Sequence, residues 1–224
     1  MIVFRALLAS LVLPGLIAAQ EHLTFPTQDG WIIHADQYGT GDRGVVLAHG
    51  GRFNKGSWER QARVLVNAGF RALAIDLRGF GESRGGAQTL LVDELRHFDV
   101  LAAVHYLQKT GAQTVSVVGA SMGGDYAAEA SEAEPREIDR LVLLAAGAYT
   151  PLIRSRARKL FIISRDYVMG ENKPRLPQIR EQYEKASGPK ELVLLDGSAH
   201  AQFIFQTDQG ERLMHEILRF LSEP

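Results

Sequence analysis

The sequence predicts an α/β fold, in which helices lie on both faces of a mostly parallel sheet and an antiparallel hairpin precedes them. Short, continuously apolar stretches, typical of strands that are buried on both faces, alternate with segments of helical periodicity. Such alternation favours parallel strands joined by crossover helices. The 224 residues, 46% of them hydrophobic, contain no internal repeat and no linker. We therefore assign residues 21–224 to one domain.

The predicted elements begin with the hairpin, in which residues 23–25 and 31–35 flank the turn residues Gln28-Asp29-Gly30. Ser57 is a candidate N-cap for a helix that ends near Gly69. Apolar stretches predict strands over 44–49, 70–76, 115–119, 141–145, 159–164 and 192–195. Further helices are predicted over about 90–109, 125–130, 176–186 and 211–221.

Residues 1–20 differ in kind from the rest of the chain. Arg5 precedes an apolar run from Ala6 to Leu13, and small residues follow, which is the layout of a secretory signal peptide. The run is too short to span a bilayer as a helix. We therefore predict a signal peptide over residues 1–20, a secreted or periplasmic protein, and no stable membrane insertion. If this segment is not a signal, the location is cytoplasmic.

Composition excludes several classes of function. The formal net charge of −1 provides no basic surface for nucleic acid. The absence of cysteine excludes disulfides, cysteine nucleophiles and thiolate metal sites. We expect a small-molecule substrate, and the sequence leaves the oligomeric state open.

A predicted strand, a tight turn and a predicted helix meet at Ser121. The stretch Gly119-Ala120-Ser121-Met122-Gly123 matches the pattern G-x-S-x-G, in which flanking glycines make room for a strained turn that exposes the serine hydroxyl. The N–H groups at the start of the following helix favour negative charge on a nearby carbonyl oxygen. A glycine-rich turn with an ordinary serine fits the same five residues, so the context must decide between the two interpretations.

Polar residues follow the predicted parallel strands at the edge of the sheet where such folds bind ligands. Glycines after the strand that ends at His49 let backbone N–H groups approach a substrate oxygen. The order Ser121, Asp166, His200 supplies a serine, an acid and a histidine, as acyl transfer needs. The segments at this edge are His49-Gly50-Gly51-Arg52, residues 76–83, Ser164-Arg165-Asp166-Tyr167 and Asp196-Gly197-Ser198-Ala199-His200.

With these motifs the sequence resembles the α/β-hydrolase superfamily over residues 23–221. The matches are the His-Gly-Gly loop, the D-x-R-G-x-G-x-S segment of residues 76–83, the serine turn and the Gly-Ser-Ala-His stretch before the last helix. The resemblance implies that Ser121 is the nucleophile, His200 the general base and Asp166 the acid that orients His200. It also implies an oxyanion hole formed by the N–H of Met122 and that of Gly51 or Arg52. His49 has a structural role in the family, tying loops together, and Asp76 caps a turn.

The acid is the least well matched member of this set. The family places its acid slightly further past the strand, where this sequence has Tyr167. Our assignment is Asp166, because it stands at the strand end, and Glu171 and Asp196 are the alternatives in reach of the same edge.

The short connection over residues 146–158 leaves no room for the helical lid that many relatives insert, so we expect no cap domain. An open site suits esters of small to medium size. We predict a serine hydrolase that forms an acyl-enzyme on carboxylic esters and needs no metal or cofactor. A peptidase, thioesterase or perhydrolase would use the same triad. A non-catalytic ligand-binding protein of this fold is the alternative from a different class.

Overall fold

The computed structural model describes residues 20–84, 95–146, 149–170 and 172–223. The strands are β1 (Gln20–Pro26), β2 (Ile32–Tyr38), β3 (Arg43–Ala48), β4 (Phe70–Ile75), β5 (Thr114–Ala120), β6 (Arg140–Leu144), β7 (Arg158–Ser164), β8 (Val168–Met169), β9 (Lys173–Pro174) and β10 (Lys190–Leu195). The helices are α1 (Glu59–Asn67), α2 (His97–Lys109), α3 (Met122–Ala133), α4 (Leu176–Lys185) and α5 (Gly210–Ser222). Short 3₁₀ turns cover Lys55–Trp58 and Ala201–Gln206.

The main sheet has eight strands in the order β1-β2-β4-β3-β5-β6-β7-β10. β2 pairs antiparallel with β1 and with β4, and every pair from β4 to β10 is parallel. This arrangement confirms the predicted fold class. β8 and β9 form a separate antiparallel ladder that the sequence did not predict, because two residues are too few to show a periodicity.

The apolar strands are buried because both faces of the sheet are covered. All six residues of β4 are buried, and successive side chains of a strand point to opposite faces. α1 packs on β4, α3 packs on β5 and β6, and α4 packs on β7. The continuous apolar runs in the sequence therefore reflect strands that have helices on either side.

The helix predicted from Ser57 begins later than expected. Ser57 lies inside the first 3₁₀ turn, and the residue that caps this turn is Asn54, whose side chain accepts a hydrogen bond from the Gly56 N–H at 3.0 Å. The Ser57 hydroxyl donates to the Asn54 carbonyl at 2.6 Å and accepts from the Gln202 side chain at 2.7 Å, so its hydrogen bonds are made outside α1. α1 begins at Glu59, directly after this turn.

Two predictions fall partly outside the described residues. The predicted helix over 90–109 is observed from His97 as α2, and residues 85–94 are outside the described ranges. Residues 1–19 are also outside them, so the signal peptide stays a prediction. Gln20, which we assigned to that segment, is the first residue of β1 and pairs with Tyr38.

The described part of the connection between β6 and β7 contains no helix, in keeping with the expected absence of a cap domain. Across the described ranges, none of the helices has the length and apolar character needed to cross a bilayer.

The turn after β4 is held by buried charges. The Arg78 guanidinium donates to Asp99 at 2.8 Å and to Asp29 at 2.6 and 3.0 Å, and Arg78 and Asp99 are 1% and 0% exposed. The hydrogen bond from Arg78 lowers the pKa of Asp29 to about 2, although partial burial acts in the opposite direction. Asp76 caps the turn as predicted, accepting from the Lys55 and Glu82 N–H groups at 2.7 and 2.8 Å.

Candidate active site

Ser121 lies at the strained turn between β5 and α3. Its φ of 49° and ψ of −119° are outside the regions that non-glycine residues normally adopt. The Ser121 N–H donates to the Leu144 carbonyl of β6 at 2.8 Å, which fixes the turn against the sheet. A Cβ on Gly119 would lie 2.5 Å from the Gly123 carbonyl oxygen, and one on Gly123 would lie 2.5 Å from the Ala48 carbonyl oxygen. Both glycines are therefore required for β5, α3 and β3 to approach one another this closely.

The structure brings His200 to Ser121. His200 follows β10, which is three positions from β5 in the sheet order, yet its Nε2 atom lies 2.8 Å from the Ser121 Oγ atom. This distance is that of a hydrogen bond, and in the tautomer with the proton on Nδ1 the serine hydroxyl donates to the ring. The arrangement allows His200 to take the serine proton as the hydroxyl attacks an electrophile.

One face of the His200 imidazole lies against an aromatic ring. The ring of Tyr167 stacks on that of His200, with centroids 4.3 Å apart and planes inclined by 19°. Burial lowers the pKa of His200 below the usual 6.5, and the positive charge of Arg175 lowers it further. The environment of the ring therefore favours its neutral form, which is the form that accepts a proton.

The Nδ1 atom of His200 is buried and has no hydrogen-bond partner among the described residues. The hydrogen bond predicted between the Asp166 carboxylate and this atom is absent from the described contacts, and the role of Asp166 as the orienting acid stays a prediction. Asp166 lies in a turn over residues 164–167. The Tyr167 N–H closes this turn by donating to the Ser164 carbonyl at 3.2 Å. Asp166 is a central residue of this turn and its side chain is exposed.

Of the two alternative acids, the structure describes only Asp196, and no hydrogen bond joins it to His200. Asp196 is exposed, and its carboxylate lies 3.9 Å from Arg165 and 4.0 Å from Arg212. Glu171 is outside the described residues.

The loop after β3 lies against the serine turn, and the oxyanion-hole role of Gly51 or Arg52 stays a prediction. A Cβ on Gly50 would be 3.5 Å from the Cβ of Ser121, and one on Gly51 would be 3.7 Å from the Sδ atom of Met122. Met122 is the first residue of α3, so its N–H has no acceptor within the helix. Gly50 therefore lies beside Ser121, and Gly51 lies beside the Met122 side chain.

Gln202 positions this loop, and the sequence did not single it out. Its Oε1 atom accepts from the Gly50 N–H at 2.8 Å, and its Nε2 atom donates to the Ser57 hydroxyl at 2.7 Å. The side chain is almost fully buried. The only signal in the sequence is that it stands two residues after His200, which by itself does not indicate a role.

His49 ties two loops together, as the family resemblance implied. The Nε2 atom of its buried ring accepts a hydrogen bond from the Leu77 N–H at 3.2 Å. The ring proton is therefore on Nδ1, which donates to the Gly50 carbonyl at 2.8 Å. Burial lowers the pKa of His49, which keeps this tautomer neutral. Both ring nitrogens are occupied, so His49 is not available as a base for Ser121.

A group of metal-ligating side chains on the described surface lies far from the serine. Atoms of His105, Glu134 and Glu137 fall within 4.8 Å of one another. His105 contacts Glu134 at 3.0 Å, and Glu137 accepts from Gln108 at 3.0 Å. Glu134 caps the carboxyl end of α3, the opposite end from Ser121. Ordinary ion pairing and hydrogen bonding account for these residues.

Comparison with known proteins fits this geometry. The sequence pattern of the alpha/beta hydrolase fold family matches residues 44–185, which is more than half of the chain. The chain belongs to the α/β hydrolase fold family. The matched range includes the loop after β3 and the serine turn but ends before His200, so the histidine is placed by the structure.

Within the α/β hydrolase fold family, one similar protein is a 2-hydroxy-6-oxononadienedioate/2-hydroxy-6-oxononatrienedioate hydrolase of Burkholderia vietnamiensis. It is 32% identical over 122 residues, which cover 53% of this chain and 41% of the relative. The match thus spans less than half the length of that relative.

Two solved structures share the fold at low sequence identity. An esterase from Pyrococcus furiosus has a TM-score of 0.72 at 18% identity, covering 92% of this chain and 94% of its own. A dienelactone hydrolase from Anabaena variabilis has a TM-score of 0.75 at 19% identity, covering 92% of this chain and 97% of its own. Both cover nearly the whole described fold.

Proposed function

We propose that this protein is a serine hydrolase that acts on carboxylic esters of small to medium size. The observation that carries the proposal is the 2.8 Å contact between His200 Nε2 and Ser121 Oγ at a strained turn of φ 49°. A serine held in this way next to a neutral imidazole is an activated nucleophile. The similarity to hydrolases, including an esterase of the same fold, supports the same reaction class.

In the proposed reaction the Ser121 oxygen attacks the ester carbonyl carbon while His200 takes the hydroxyl proton. The carbonyl oxygen becomes an oxyanion, and the N–H groups of Met122 and of Gly51 or Arg52 donate hydrogen bonds to it. Collapse of this intermediate breaks the bond to the leaving alcohol, which takes the proton from His200. Water then attacks the acyl-enzyme with the same base, releasing the acid and restoring the serine.

The ester assignment is favoured by the open approach to the serine. Ser121 and His200 are both partly exposed, and the described part of the β6–β7 connection adds no helix above them. A peptidase, thioesterase or perhydrolase would use the same residues, and a ligand-binding protein without activity would keep the same fold. Covalent labelling separates the enzymes from the binding protein, because only an activated serine reacts.

We expect a fluorophosphonate probe to label the full chain at Ser121 in a one-to-one ratio, and the protein to hydrolyse short-chain nitrophenyl esters. Mass spectrometry of the labelled peptide locates the site. Ser121→Ala should abolish labelling while leaving the thermal unfolding midpoint nearly unchanged, since a partly exposed hydroxyl contributes little to the core. Equal labelling of the wild type and Ser121→Ala, or none at all, would refute the proposal.

The pH dependence should follow the protonation of His200. Because burial and Arg175 lower the pKa of His200 below 6.5, the ring stays neutral to lower pH than a free histidine. We therefore expect kcat/KM to rise with pH through an apparent pKa below 6.5 and to be level at neutral pH. Measurements from about pH 4.5 to pH 8.5 with a nitrophenyl ester check this. An inflection well above 6.5 would show that the ring is more solvated or paired with a negative charge.

A further inference from the structure

Gly50 is held on both sides by hydrogen bonds within the loop after β3. Its N–H donates to the Oε1 atom of Gln202 at 2.8 Å. Its carbonyl accepts from the Phe53 N–H at 3.0 Å and from the His49 ring at 2.8 Å. Both peptide units that meet at Gly50 therefore have fixed orientations.

The peptide unit after Gly50 carries the N–H of Gly51, a predicted oxyanion-hole donor. A trans peptide is planar, so the direction of this N–H is set once the Gly50 carbonyl is fixed. In the described part of the chain, the N–H groups of Gly51 and Arg52 donate no hydrogen bond, and both residues are exposed. These two N–H groups are thus able to donate to a substrate oxygen.

The peptide unit before Gly50 lies between the start of α3 and the Gln202 side chain. A Cβ on Gly123 would lie 2.6 Å from the His49 carbonyl oxygen, so this carbonyl packs against α3. The C=O and N–H of a trans peptide point in opposite directions. The Gly50 N–H accordingly points away from α3 and meets Gln202. Gln202 therefore controls how closely the loop approaches the serine turn.

The Gln202 amide is itself anchored at its other end. A backbone N–H only donates, so the amide oxygen faces Gly50 and the amide nitrogen donates to the Ser57 hydroxyl at 2.7 Å. Ser57 donates in turn to the Asn54 carbonyl at 2.6 Å. Gln202 is only 4% exposed, so loss of its amide would leave buried polar groups without partners. One side chain thus fastens both ends of the loop from Gly50 to Ser57.

Ala201, between His200 and Gln202, has a strained backbone. Its φ of 51° lies in the left-handed region, which residues with a Cβ rarely adopt. On one side of it, the His200 ring reaches Ser121. On the other side, the Gln202 amide reaches Gly50. The strain lies at the residue that separates these two contacts, and strain of this kind is concentrated at functional sites.

An aromatic pair joins the same two loops at the surface. The rings of Phe53 and Phe203 have centroids 4.9 Å apart and planes inclined by 54°. Phe203 directly follows Gln202, and its N–H donates to the His200 carbonyl at 3.0 Å. This contact brings the loops together but does not orient a peptide. The hydrogen bond between Gly50 and Gln202 supplies the orientation.

We propose that Gln202 is a positioning residue, whose amide holds the loop after β3 so that the N–H of Gly51 or Arg52 can donate to the oxyanion. The inference rests on the proposed serine hydrolase function and deepens it. Gln202 stands two residues after His200, so the same segment supplies the base and sets the position of the oxyanion donors. Donors fixed before the reaction stabilise the developing charge without reorganising.

The test compares Gln202→Met with Asn54→Ala. Gln202→Met keeps the length of the side chain but neither accepts from Gly50 nor donates to Ser57. Asn54→Ala removes the cap of the 3₁₀ turn in the same loop and leaves the Gly50 contact in place, so it should keep the wild-type kcat. We expect Gln202→Met to lower kcat and the rate of fluorophosphonate labelling by about tenfold to a hundredfold. KM should change little, because the oxyanion contacts form in the transition state.

Ser57→Ala provides a milder variant that removes only the outer anchor of the Gln202 amide. It should reduce kcat less than Gln202→Met does, and adding it to Gln202→Met should cause no further loss, because the contact is already gone. Thermal unfolding shows which variants are folded. Losses that multiply in the double variant would contradict a shared role.

A trifluoromethyl ketone separates positioning from a merely structural role, because the serine adds to its carbonyl and forms a stable oxyanion. In Gln202→Met its inhibition constant should rise by the factor by which kcat/KM falls, since both depend on the oxyanion donors. The acidic limb of kcat/KM should coincide with that of the wild type, because His200 is unchanged. An unchanged inhibition constant beside a lowered kcat/KM, or a displaced limb, overturns the proposal.

Labelling of the wild type at Ser121 is scored separately from these comparisons. If the wild type is not labelled, the proposed function fails and this inference fails with it. If the wild type is labelled and folded Gln202→Met is labelled at the same rate, only this inference fails.

Discussion

We expect replacement of either Ser121 or His200 by alanine to lower kcat for the proposed ester hydrolysis by on the order of 10⁴-fold or more. The two side chains form one proton-transfer unit, with Nε2 and Oγ 2.8 Å apart, so losing one disables the other. We therefore expect the double variant to be no slower than the slower single variant. The residual rate reflects substrate binding and the backbone N–H groups around the serine.

Steady-state kinetics of the two single variants and the double variant measure this directly. His215→Ala is the matched control, because His215 is exposed on α5 and contributes nothing to the serine turn. It should keep the wild-type kcat. Losses that multiply in the double variant would mean that Ser121 and His200 act independently, which the proposed mechanism forbids.

We expect Arg78→Met to lower the free energy of unfolding by about 3–5 kcal/mol. The substitution preserves apolar volume but leaves the Asp99 carboxylate, which is 0% exposed, without the guanidinium that donates to it at 2.8 Å. Asp29 loses the same partner. The backbone N–H of residue 78 still donates to Asp99 at 2.8 Å, but loss of the charged partner of a buried carboxylate is strongly destabilising.

Urea unfolding of Arg78→Met and of Arg63→Met provides the comparison. Arg63 pairs with Glu59 at 2.9 Å on the exposed face of α1, and an exposed pair of this kind contributes only about 0.3–0.5 kcal/mol. Adding Asp99→Asn to Arg78→Met should recover part of the loss, since the unpaired buried charge is then removed. Equal destabilisation by Arg78→Met and Arg63→Met would show that the buried pairs do not hold the turn after β4.

Most of the fold could be predicted because its signals are local. A strand buried on both faces must be apolar at every position, as β4 is, and such runs are visible in the sequence. The element boundaries that moved were decided by side-chain hydrogen bonds. Asn54 caps the 3₁₀ turn ahead of α1, and its carbonyl takes the hydroxyl of Ser57, the residue expected to cap the helix.

The serine turn could be predicted for the same reason. Gly119 and Gly123 lie within a few residues of Ser121. A Cβ at either position would clash with backbone atoms of β3, α3 or the turn itself. Local spacing therefore specified the geometry of the nucleophile. The family pattern then indicated that a histidine after the last strand would meet it, and His200 does.

What lies beside the histidine was decided by tertiary structure alone. Asp166 and Tyr167 are adjacent in the sequence. Which of the two side chains faces His200 depends on a turn over residues 164–167 and on hydrogen bonds between two loops that are more than 30 residues apart in the chain. The contacts of Gln202 with Gly50 and Ser57 likewise cross about 150 residues of chain. Composition and periodicity predict where strands and helices lie, because the pattern of burial repeats along each element. They do not carry the direction of a single side chain in a loop, because that direction is set by partners distant in the chain.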